Sequence, residues 1–173
     1  MKENKGLIIG TVVTIVVLLV LVLLISMNDK EEKLVLSNDP DVVIANAEKE
    51  AAEVKDSQKK AFKLITVDKY VEYYKGEKET LVYFTKRDCH NCELANNILQ
   101  SIAKKYNIDI NYIMIDDLDD EAYNAILESD SFMENNFGTP MLFLVGNNSI
   151  IDSVDGLTDR AHYIEFFKLN GYI

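Results

Sequence analysis

Apolar and polar positions fall into three regimes along this chain. Between Gly6 and Asn28 there is no charged residue, and Leu7 to Ile25 is almost entirely valine, leucine and isoleucine. Residues 29–60 are highly charged, with a thin apolar stripe of Val43, Ala47, Ala51 and Val54. From Phe62 onward, short apolar runs alternate with helical periodicity. Phe62-Lys-Leu-Ile65 predicts a short strand, and Thr66 caps a helix from Val67 to about Lys75 that Gly76 ends. Residues 80–85 are β-branched and aromatic and predict a buried strand. Beyond Cys92, the spacing of Leu94, Ala95, Ile98, Leu99, Ile102, Ala103 and Tyr106 predicts a helix stopping near Asn107. Ile110 to Ile115 is a continuous apolar run, expected to be a second buried strand. A helix follows from Asp120 to about Leu127, and residues 129–137 extend it or form a second short one. Residues 141–145 and 149–151, joined at Gly146-Asn-Asn148, predict a hairpin with Pro140 at its start, where a missing N–H costs least. Thr158 is the expected cap of a last helix with Tyr163, Ile164, Phe166 and Phe167 inward, stopped by Asn170-Gly171.

This β-α-β-α-β order makes the central strands parallel with helices on both faces, an α/β architecture. The regimes divide the chain into an anchor (1–28), a charged stalk or linker (29–60) and a globular domain (61–173). A stripe as thin as Val43, Ala47, Ala51 and Val54 suits a solvated helical stalk begun at Asp39-Pro40-Asp41, with a docking or self-association seam as the alternative.

At ~1.5 Å per residue, residues 7–27 are long enough to cross a hydrocarbon core of about 30 Å, so they predict a transmembrane helix. The rival is a cleaved signal peptide with Lys2 and Lys5 as its basic region. The apolar run is longer than a usual signal core, and Ile25-Ser-Met-Asn-Asp29 contains no small-x-small site. A lipoprotein is excluded, because no cysteine stands near the end of the run. Lys2 and Lys5 precede the span, whereas Asp29, Glu31 and Glu32 offset Lys30 and Lys33 after it. The expectation is a single-pass cell-membrane protein, amino terminus cytoplasmic and domain outside.

The chain's two cysteines, Cys89 and Cys92, stand where the strand over residues 80–85 turns into a helix. The first turn of a helix has unpaired N–H groups and the positive end of the macrodipole, which favour a thiolate. With two residues between them, the sulfurs can close a small disulfide ring, and attack, mixed disulfide and resolution can share one place. A pair of buried apolar cysteines and half of a zinc site are the other readings. Zinc needs two further ligands, and the histidines are His90, beside Cys89, and the distant His162. No metal or cofactor is expected.

Cys89-His90-Asn91-Cys92 after a strand, with Gly138-Thr139-Pro140 opening a later one, resembles the active-site motif and cis-proline loop of the thioredoxin family. The resemblance covers about residues 61–173. It implies a thioredoxin-like three-layer fold around a central mixed sheet, here preceded by the transmembrane helix and the stalk. It also implies that Thr139 and Pro140 lie against the catalytic disulfide and bind substrate peptide. With its tether, the chain looks most like the extracytoplasmic thioredoxin-like proteins of Gram-positive bacteria, including the bacteriocin transport accessory group. It departs from the reductant thioredoxins in three places: Asp88 replaces the tryptophan before the first cysteine, His90-Asn91 replaces Gly-Pro, and Tyr83 replaces the buried acid. Without that acid, deprotonation of Cys92 falls to water or another base, of which Glu93 is a candidate.

The chemistry expected is thiol–disulfide exchange, with Cys89 as nucleophile and Cys92 resolving. His90 (with Asn91 beside it) modulates the pair, Lys86 and Arg87 add positive field, and Asp88 opposes it. A stabilised thiolate makes the pair more oxidising. The expected substrate is an exported cysteine-containing protein or peptide, with a membrane redox partner possible. Two other classes stand beside this one: a non-catalytic accessory factor of an export or transfer system, and a copper- or zinc-handling protein. A net charge of −11, most of it within residues 61–173, argues against nucleic acid. Asp116, Asp117, Asp119, Asp120 and Glu121 lack the glycine and twelfth-position glutamate of a calcium loop and are expected to face water and cap a helix.

Overall fold

The computed structural model describes residues 36–53 and 62–173, and the expected membrane span at 7–27 lies outside them. Among the described residues no helix is long and apolar enough to cross a membrane. The element order is α1 (Pro40–Glu53), β1 (Phe62–Leu64), α2 (Val67–Lys75), β2 (Thr80–Thr85), α3 (His90–Tyr106), β3 (Ile110–Met114), a 3₁₀ turn (Ile115–Asp117), α4 (Asp120–Leu127), α5 (Ser131–Asn136), β4 (Met141–Gly146), β5 (Ser149–Asp155) and α6 (Arg160–Leu169).

The strands form one sheet in the order β1-β3-β2-β4-β5. β1, β3 and β2 are parallel, whereas β4 is antiparallel to both β2 and β5. β2 and β4 lie inside the sheet and are buried on both faces, which explains their unbroken apolar runs. Alternation sends Val82 and Phe84 of β2, with Met141, Phe143 and Val145 of β4, to one face. There they meet Tyr70 and Tyr74 of α2, Ile126 of α4 and Met133 of α5. Leu81, Tyr83, Leu142 and Leu144 point the other way, towards the side that carries α3 and α6, whose Ile98, Leu99, Ile102, Tyr163, Ile164 and Phe167 are buried.

Local signals place most element ends. Thr66 caps α2 by accepting from Lys69 N, and Asn107 ends α3 in the left-handed region, φ 55°. Asn147 and Asn148 both have positive φ, as a two-residue hairpin turn between right-twisted strands requires. Residues 131–136 form a separate short helix, started by the Asp130 carboxylate accepting from Phe132 N. Two expectations need correction. The cap of α6 is Asp159, which accepts from His162 N, because a carboxylate one residue later reaches the free amides. β5 runs on to Asp155, pairing Leu142 with Val154 and Met141 with Asp155.

The segment 40–53, read as part of a solvated stalk, packs on α3 and α6. Ala47 and Ala51 are fully buried there, small enough for two helix backbones to approach closely. Asn46 Nδ2 donates to Asp159 at 3.4 Å, and Glu50 accepts from Arg160 N at 2.8 Å. Val54, the last residue of the expected stripe, lies outside the described residues.

Candidate active site

β2 ends at Thr85, and Lys86, Arg87 and Asp88 form an exposed turn into α3. Asp88 sits in the left-handed region at φ 49°, a conformation aspartate tolerates better than most residues. Two contacts with the 3₁₀ turn after β3 pin this loop. Arg87 N donates to the Asp116 carboxylate, and Arg87 Nη2 lies 2.6 and 2.8 Å from the two Asp117 carboxylate oxygens. Both groups are about half exposed, so solvent screens the ion pair and it serves mainly to fix the loop.

Cys89 occupies the N-cap of α3, and its sulfur accepts from Cys92 N at 3.2 Å. The two cysteines are joined as a disulfide with their Cα atoms 5.2 Å apart. Their exposures differ: Cys89 is partly exposed, whereas Cys92 is 1% exposed. Any partner therefore meets the Cys89 sulfur first. His90 and Asn91 are exposed on the first turn of the helix.

Beneath the pair lies Tyr83, fully buried, whose hydroxyl donates to the Cys92 carbonyl at 3.3 Å. Burial raises its pKa well above the usual tyrosine range, and a hydrogen bond with Thr85 opposes the shift. At neutral pH it is a donor and cannot act as a base. Tyr83 stands at the position of the buried acid in the reductant thioredoxins, and strand alternation, which puts it on the α3 face, is the sequence signal for this contact. The Arg87–Asp117 pair had no local signal, since its partners are thirty residues apart.

Thr139 and Pro140 are joined by a cis peptide bond. Phe84 pairs with Met141, so Pro140, which is buried, stands across from Thr85 at the end of the sheet from which the cysteine turn leaves. The Pro140 carbonyl accepts from Gly156 N at 2.8 Å. His162 is removed from the pair, on α6, with Nδ1 2.8 Å from Asp159. Among the described residues no group of three His, Cys, Asp or Glu side chains could hold a metal ion, the acidic run at 116–121 included.

On the β3 side of β2, opposite the Thr139-Pro140 loop, a cleft of about 590 Å³ opens beside the disulfide. Glu93 is exposed and lines it.

A mixed sheet of this order, with a cysteine pair at the end of β2 and a cis-proline opening the neighbouring strand, is the arrangement that the motifs implied. The fold is thioredoxin-like. No family model matches the chain. It is 26% identical over 98 residues to an NADPH-dependent thioredoxin reductase 3 of Arabidopsis thaliana; that stretch is 57% of this chain and 17% of the relative, so the chain spans a small part of that protein. Among solved structures it is similar to thioredoxin of Aeropyrum pernix, with 17% identity, a TM-score of 0.47 and coverage of 61% of this chain and 84% of that one. It is also similar to Malassezia sympodialis thioredoxin, with 16% identity, a TM-score of 0.47 and coverage of 62% and 89%. For Chlamydomonas reinhardtii thioredoxin f2 the figures are 12% identity, a TM-score of 0.48 and coverage of 65% and 98%.

Proposed function

We propose that the protein is a thiol–disulfide oxidoreductase, tethered to the membrane through residues 7–27 and acting outside it on exported cysteine-containing proteins or peptides. One observation supports the chemistry above the rest: a partly exposed Cys89 sulfur at a helix N-cap, hydrogen-bonded by Cys92 N–H and disulfide-linked to a buried Cys92.

In the oxidising direction a substrate thiolate attacks Cys89 Sγ. The Cys89–Cys92 bond breaks, a mixed disulfide forms, and Cys92 leaves as a thiolate that takes up a proton. A second substrate thiolate then attacks the substrate's own sulfur in that mixed disulfide, and Cys89 departs as a thiolate. The substrate has lost two electrons to form its disulfide and the protein pair has gained them; of the two protons the substrate thiols gave to solvent, Cys92 takes up one and the other stays in solvent while Cys89 is a thiolate. Cys89 is the better leaving group because Cys92 N–H and the positive end of α3 stabilise its thiolate. Thr139 and Pro140, on the adjoining strand end, hold the substrate backbone against the pair. The tether rests on the uncharged run 6–28 and the basic residues that precede it.

Trapping tests this reading. A Cys92→Ser variant incubated with a peptide disulfide should accumulate a mixed disulfide on Cys89, seen as a mass increase that a thiol reductant removes. If a Cys89→Ser/Cys92→Ser double variant fully replaces the native protein in its own cell, the catalytic reading fails and a non-catalytic accessory role takes its place.

A further inference from the structure

Helix α3 carries a column that its apolar periodicity does not explain. Cys92, Asn96 and Gln100 recur every fourth residue and so lie one above another on one face. That face is a wall of the cleft beside the disulfide, whose floor includes Phe62 of β1 and Tyr112 and Met114 of β3. All three floor residues are partly exposed although two are aromatic, and the Phe62 and Tyr112 rings touch at 6.2 Å. Gln100 Nε2 donates to Asn96 Oδ1 at 3.2 Å, which orients both amides. Among the described residues no other hydrogen bond engages the Asn96 side-chain NH2 or the Gln100 side-chain oxygen, so these two cleft-lining residues keep one donor group and one acceptor for a ligand.

From Cys92 to Gln100 the wall is about 12 Å long at ~1.5 Å per residue. That is the length of three to four residues of extended chain at about 3.3 Å each. A peptide backbone offers one acceptor and one donor per residue, the complement of the two amides. In an extended chain the residue two places from a cysteine points the same way as the cysteine.

We propose that this cleft is a peptide subsite: it binds three to four extended residues flanking the substrate cysteine and selects an apolar side chain two positions away. The inference rests on the thiol-exchange reading. Asn96 and Gln100 meet the peptide backbone, the floor receives the apolar side chain, and the substrate sulfur reaches Cys89 at the cleft's upper end. The site lies on the opposite side of β2 from Thr139 and Pro140, so a substrate can engage both at once.

The test uses the oxidised full-length protein in detergent and three reductants: 2-mercaptoethanol and two blocked seven-residue peptides with a central cysteine. The peptides carry either Phe or Ser two residues to each side, so both are uncharged. Acid quenching and mass spectrometry give the rate at which each opens the disulfide. The Phe peptide should react on the order of tenfold faster than the Ser peptide. Tyr112→Ser combined with Asn96→Ala should bring that ratio towards one, whereas Tyr112→Phe, which keeps the ring, should preserve it. If 2-mercaptoethanol opens the disulfide and the two peptides differ by less than twofold, the subsite is refuted and the exchange reading survives. If none of the three opens it, both fall.

Discussion

Once the disulfide is reduced, an alkylating reagent should distinguish the two thiols sharply. Cys89 is partly exposed and needs no rearrangement to react, whereas Cys92 is 1% exposed. To reach Cys92, a reagent must open the first turn of α3. That opening breaks the bond from Cys92 N to Cys89 Sγ, 3.2 Å, and the one from the Tyr83 hydroxyl to the Cys92 carbonyl, 3.3 Å. At about 1 kcal/mol each, the two together cost about 2 kcal/mol. That energy corresponds to roughly 30-fold in the population of the open turn. Stabilisation of the Cys89 thiolate at the N-cap widens the gap. The assay is limited iodoacetamide labelling of reduced protein, followed by peptide mass analysis, with Cys89→Ala and Cys92→Ala as single-thiol references. Cys89 should be labelled at least about 30-fold faster. Equal rates, or faster labelling of Cys92, would refute the assignment of Cys89 as the sulfur that meets substrate.

Three further expectations concern the scaffold. Phe143 is fully buried and touches the rings of Phe84 at 5.6 Å and Phe132 at 6.0 Å, so Phe143→Ala should cost about 3–5 kcal/mol in denaturant unfolding; a loss under 1 kcal/mol would show that the core is packed differently. Ala51 is buried on the face of α1 that packs against α3 and α6, and its neighbour Ala52 is exposed, so Ala51→Asp should destabilise by about 2 kcal/mol or more and Ala52→Asp by less than about 0.5; equal small effects would mean a solvated stalk after all. Burial raises the Tyr70 phenol to about 12, with a hydrogen bond between Tyr70 and Ser129 opposing the rise and Asp130 adding to it. Because the ordinary tyrosine value of 10.0 applies to the unfolded chain, this contribution is complete below pH 10 and is lost as the pH rises through 12. The loss amounts to about 2–3 kcal/mol and should be smaller in Tyr70→Phe; a native protein whose stability is flat from pH 9 to 12 would contradict it.

The parts of the fold legible in the sequence are those governed by neighbours along the chain. Thr66 and Gly76 bound α2, the apolar run over 80–85 is buried, and Asn147-Asn148 turns the hairpin, because each depends on local backbone chemistry. What escaped depends on partners far away. Ala47 and Ala51 offer little apolar area, so nothing local distinguishes a docked helix from a solvated one; only α3 and α6, brought alongside by the fold, decide it. The polar residues Asp152, Ser153 and Asp155 at the sheet edge hid the second half of β5. At the site, Cys89 and Cys92 were legible because strand, turn and helix are contiguous. The cleft was not, since Phe62, Asn96 and Tyr112 come from three separate elements.

Equilibrating the protein in glutathione buffers of graded potential, then quenching with acid and weighing the species, tests the central claim most directly. Two sulfurs at the mouth of α3, with the Cys89 thiolate held by Cys92 N–H, should interconvert as one reversible two-electron couple. Its midpoint should lie well above the thioredoxin value of about −270 mV. A pair that stays locked in one state across the range, or a midpoint at or below that value, would contradict the account.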